Sequence, residues 1–169
     1  MQRSIFLKLT GIENVGQWDA RAARGQLPFY SVSGPAGRDY TPFDAFLIEM
    51  ADKLASWGCG LVTAADTVRN HSLDLKAGWK HITSRRPKDF FFGVAMVQAP
   101  TSRSAIREGV GMFDTRPLIG TLDNFAKSLR DESRVIESVN LANASEAWDQ
   151  VTRRARANDI DISNVFGGS

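Results

Sequence analysis

The stretch 42–57 constrains the fold more than any other part of the chain. Phe43, Phe46, Leu47, Met50, Ala51, Leu54 and Trp57 recur at helical spacing and form one apolar stripe. Thr41 is placed as an N-cap, Pro42 suits the first turn, Asp44 follows the cap by three residues, and Gly58 supplies the stop. A helix of this length with an apolar stripe needs other elements to cover it. The sequence around it therefore has to supply neighbours.

Upstream, the pattern predicts two shorter helices, about 4–9 and 14–24, separated by Thr10-Gly11. Between them and the long helix lies a Gly- and Pro-containing stretch. Its Gly34-Pro35-Ala36-Gly37 centre reads as a loop tip between short extended segments. Downstream of Gly58, a further helix is expected over 61–70. The second half changes character. Segments 79–83 and 90–98 read as strands joined by a turn at 85–89, and 134–141 alternates as another strand. Helices are expected at 121–130, capped by Thr121, and at 144–157, with Ala147, Trp148, Val151 and Ala155 on one side. The expected class is α+β, with a helix-rich unit at 1–75, a small α+β unit at 76–169, and a boundary near 73–78.

Composition narrows the class. With 43% hydrophobic and 24% charged residues, a chain of 169 residues can bury a real core, so disorder is not expected. No apolar run is long enough to cross a bilayer, and 1–8 lacks the pattern of a signal peptide. The lone Cys59 forbids an internal disulfide and fits a cytoplasmic location. Residues 1–88 hold 12 Lys/Arg against 8 Asp/Glu, whereas 89–169 hold 9 against 11, so the front half carries the basic surplus. That surplus permits a phosphate-binding surface.

The order helix, Thr-Gly turn, helix, loop, long capped helix is that of a helix-turn-helix followed by a wing. Phe6-Leu7-Lys8-Leu9-Thr10-Gly11-Ile12 resembles the first helix and turn of the MerR-like regulators. Arg24-Gly25-Gln26-Leu27-Pro28-Phe29 is similar to the segment that ends their second helix, and Gly37-Arg38-Asp39-Tyr40-Thr41-Pro42-Phe43-Asp44 to the end of their wing. Leu54-Ala55-Ser56-Trp57-Gly58, followed by the helix at 61–68, is similar to the ending of that module. The resemblance covers about residues 5–70 and departs from the family at Asp19-Ala20-Arg21-Ala22, where an aromatic stretch is usual. It implies a winged helix-turn-helix at 1–75 that binds double-stranded DNA, in a transcriptional regulator and not an enzyme. It also leaves room for a homodimer and for a small-molecule or protein effector acting on 76–169.

On a helical projection Asn14, Gln17, Arg21 and Arg24 share one face of the second helix, opposite Val15, Trp18 and Ala22. Arg grips guanine, and Asn or Gln grips adenine, in the major groove, so that face is the expected reader. Lys8 on the first helix and Arg38 on the wing are expected to meet phosphates. An ordinary solvated helix face would carry the same residue types, and the flanking turn and wing tip the balance toward DNA.

Other constellations are weaker. A nucleophile pair of Cys59 and His71 competes with a small packing residue after a helix stop, which is the expected role. One cysteine and the two histidines His71 and His81 lack metal-ligand spacing, so neither a metal nor a cofactor is expected. Segment 61–66, after Gly58-Cys59-Gly60, has weak similarity to a strand-to-loop nucleotide site. It supports the alternative of a small α/β nucleotide-binding protein or enzyme. A protein–protein adaptor is the other alternative.

Overall fold

The computed structural model describes residues 1–29, 39–56, 58–84, 90–98, 113–130 and 135–167. Helices α1 (Arg3–Thr10) and α2 (Val15–Ala23) are followed by α3 (Pro42–Ser56), α4 (Leu61–Asn70), α5 (Ser72–Ala77) and α6 (Trp79–Ile82). Strands β1 (Phe91–Gln98) and β2 (Phe113–Gly120), helix α7 (Leu122–Arg130), strand β3 (Ile136–Asn143) and helix α8 (Ala144–Ala157) complete the order. The α+β class is therefore observed. The wing expected around 34–37 and the turn at 85–89 lie outside the described residues.

Helix α3 is the hub. The N-cap reading holds in detail: the Thr41 backbone N–H and hydroxyl both donate to Asp44, and the Asp44 N–H donates back to the Thr41 hydroxyl. The expected single stripe is too narrow, however, because Pro42 through Ala51 are buried without interruption, Asp44 and Glu49 included. The reason lies in its neighbours. Helix α3 packs on α4, α8, α1 and β3, so every side of its first turns faces protein. Phe46, Met50 and Leu54 are buried as expected, but not chiefly against α2, which reaches α3 through the ion pair Arg21–Asp52.

The sheet has the order β2-β1-β3 with both pairings antiparallel, and a bulge at Met96/Val97. Its faces separate two cores. Phe92 and Ala142 turn toward the helical body, whereas Ala95, Val97 and Leu118 turn toward Phe125 of α7. Gly93 is fixed by the close approach of β3, because a Cβ there would stand 2.5 Å from the Asn140 carbonyl oxygen. Phe125 and Trp148 thus sit on opposite faces of the sheet, rather than together on one.

One expected strand is a helix. Trp79–Ile82 forms α6, and Trp79 meets Phe43, Phe46, Trp148 and Phe166 at ring-centroid distances of 4.7–5.5 Å. Packing of the indole in this aromatic group overrides the strand preference of a short Trp- and Ile-containing run. The main core runs from Phe6 to Ala155 and so crosses the boundary expected at 73–78. Leu54→Ala should cost about 2–5 kcal/mol in a denaturant-unfolding experiment, since Leu54 is 2% exposed at the centre of that core. An unchanged midpoint would contradict the packing described for α3.

Candidate nucleic-acid interface

The α1–α2 pair is built by a short set of local interactions. The Thr10 hydroxyl donates to the Leu7 carbonyl and accepts from the Ile12 N–H, closing the end of α1. Gly11 follows with φ 71°, a left-handed C-cap that a side chain rarely adopts. The Asn14 side chain then caps α2 by accepting from the Gln17 N–H at 2.9 Å. Gln17 returns the tie, its side-chain oxygen accepting from the Glu13 N–H at 3.1 Å.

Aromatic contacts dock the pair. Trp18 meets Phe6 edge-on at 5.5 Å and Tyr40 edge-on at 5.4 Å, while Tyr40 stacks on Phe6 at 4.4 Å. Phe29 adds a further face at 6.1 Å from Trp18. The chain on either side of 30–38 is thereby anchored between α1 and α2. Arg3 of α1 also pairs with Asp19 of α2.

The projected faces of α2 need correction. Trp18 is buried as expected, but Val15 is 49% exposed and Ala22 is exposed too. Arg21, expected on the outer face, is half-buried and donates to Asp52 of α3 at 2.8 Å. One indole and one ion pair set the roll of the helix, so Trp18 and Arg21 lie toward the body and the residues between them do not. Asn14, Gln17 and Arg24 are exposed on α2, and Lys8 is exposed on α1. Asn14 and Gln17 are engaged in capping, which leaves Arg24 as the exposed guanidinium of the helix. Arg38 lies outside the described residues.

Two residues that sequence reasoning missed, together with Tyr40, hold this surface from behind. Arg154 of α8 donates to Glu49 of α3 at 2.6 Å and to the Leu9 carbonyl at 3.3 Å. Its guanidinium lies against Gly11, where a Cβ would come within 3.0 Å of it. Tyr40, at the start of the capped segment, completes the set. No spacing signal links Arg154 to Glu49, since the two are 105 residues apart.

The other candidate chemistry does not assemble. Residues 61–66 belong to helix α4, so the strand-to-loop nucleotide site is not formed. His71 faces Asp74 at 3.1 Å, and burial pushes the Cys59 thiol up, the opposite of an activated nucleophile. Among the described residues no group of three His, Cys, Asp or Glu side chains is placed to hold a metal, and no helix is long and apolar enough to cross a membrane. No protein-family model and no curated protein sequence matches the chain.

Arg154→Ala would leave Glu49, 12% exposed, without its cation and would open the space over Gly11. A loss of about 2–4 kcal/mol is expected in urea unfolding, with Arg154→Lys losing less because the charge remains. Equal stability of wild type and Arg154→Ala would show that the pair carries nothing.

Proposed function

We propose that residues 1–75 act as a MerR-like winged helix-turn-helix, so that the protein is a sequence-specific DNA-binding transcriptional regulator of the cytoplasm and not an enzyme. The observation that carries this reading is the α1–Gly11–α2 unit. It is fixed from the inside by Trp18, Phe6 and Tyr40, while Lys8, Gln17 and Arg24 stand in water on its outside. A rigid helix pair with a free polar surface is what major-groove docking requires. The basic surplus of residues 1–88 supports the same reading.

The roles divide by position. Arg24 is the proposed base reader, joined by Gln17 once its tie to Glu13 is exchanged for a base edge. The exposed Ala22 offers an apolar contact of the kind that meets a thymine methyl group. Lys8, and Arg38 on the proposed wing, serve phosphates. Arg21 is assigned to holding α2 on α3, since its guanidinium is engaged with Asp52.

Fluorescence anisotropy with duplexes tiling the DNA upstream of the protein's own gene tests the proposal. Arg24→Ala should cost about 1–3 kcal/mol on the preferred duplex and relax discrimination at one base position. Lys8→Ala and Arg38→Ala should weaken all duplexes alike, each lowering the salt slope by about one. Arg21→Ala should lower thermal stability as well, which separates its role from that of Arg24. Wild-type protein that binds no duplex at any salt concentration would end the proposal.

A further inference from the structure

A cleft of about 440 Å3 opens between the segment leaving α2, the first turns of α3, the α4–α5 junction and the C-terminal tail. Phe29, Phe43 and Leu47 form its buried apolar wall. Two exposed apolar side chains converge on its rim, Leu73 at 78% exposure, the highest among the described large apolar residues, and Phe166 at 39%. Apolar groups left in water around a concavity mark a surface that is covered when a partner is bound.

The charges at this cleft decide what the partner is. Arg69 is answered by Asp66, Asp39 lies 3.8 Å from the N-terminal ammonium, and Asp44 is held by Thr41. Lys76 has no carboxylate partner among the described residues, and its ammonium sits 4.7 Å over the ring of Phe166. A cation with no carboxylate in ion-pair contact thus stands beside an apolar wall. We propose that the cleft binds a small apolar carboxylic acid, aromatic or branched aliphatic, with its carboxylate on Lys76 and its hydrocarbon part against Phe43, Leu47 and Leu73. The volume lies within the range of about 300–1,000 Å3 that small-molecule sites occupy.

The cleft also touches the proposed DNA-binding unit. Phe29 lines it and meets Trp18 of α2, and Thr41, the cap of α3, lies next to Tyr40 of the same aromatic group. An acid bound here is therefore an effector, a role that rests on the DNA-binding reading, whereas binding itself does not.

Phenylacetate and isovalerate, with neutral phenylacetamide as control, are titrated into the full-length protein while backbone amide resonances are followed. The acids should give saturable shifts at Leu73, Lys76 and Phe166, with phenylacetamide at least about threefold weaker. Lys76→Met should bring acid affinity down to that of the amide and leave the amide unchanged. No saturable shift at these residues, shifts centred elsewhere, or equal affinity for acid and amide would overturn the site. Anisotropy with duplex DNA supplies the second arm. A changed DNA affinity on adding acid supports the effector role, and an unchanged one overturns it. A protein that binds the acid but no DNA would remove the DNA-binding reading and leave the site established.

Discussion

The ion pair between Arg154 and Glu49 is the contact on which the arrangement of the front helices depends. Glu49 lies in the part of α3 that is covered on every side, where an unpaired carboxylate would be costly to desolvate. Arg154 answers it and also binds the carbonyl of Leu9, at the end of α1, while its guanidinium closes over Gly11. A single side chain from the last helix therefore joins α1, the turn and α3. Around it, Ala147, Val151 and Ala155 fill the same core as Phe6, Leu9 and Met50. The surface of α1 and α2 is shaped by residues 1–29, but it is held in place by residues near the other end of the sequence.

The sheet stands between this body and a smaller apolar layer. One face continues the main core through Phe92 and Ala142, and the other is covered by α7 through Phe125. Gly93 lets β3 come close enough to complete the pairing. The C-terminal tail adds a last layer, with the Val165 carbonyl accepting from the Phe43 N–H and Phe166 joining the aromatic group around Trp79. The tail, the first turn of α3 and the α4–α5 junction thus meet at the cleft beside Lys76. Back-half residues and the proposed DNA-binding unit are mechanically continuous there and at Arg154.

Much of the element order is legible in the sequence, because caps and periodicity are local. Asn143 and Asn14 cap α8 and α2 through the N–H groups of Glu146 and Gln17, and such signals place helix starts well. Misreadings occur where tertiary contacts outweigh local preference. Trp79–Ile82 has strand-forming residues, yet the aromatic group made by Phe43, Phe46 and Trp148 captures Trp79 in a helical turn. The roll of α2 could not be read from its own residues, since Asp52, which turns Arg21 inward, lies 31 positions away. Of the candidate site, the exposed Lys8, Asn14, Gln17 and Arg24 were visible by residue type. Arg154 and Glu49 were not, because their roles come from long-range packing, and Tyr40 was visible only as a motif residue, without its stacking on Phe6.

The central claim is that the outer surface of a fixed α1–α2 unit docks on duplex DNA. Amide hydrogen exchange of the full-length protein, with and without a duplex that it binds, tests this most directly. The account predicts added protection concentrated in residues 8–24, with α7 and the face of the sheet beneath it unchanged. Protection centred on α7 or β3, with residues 8–24 unaffected, would contradict it.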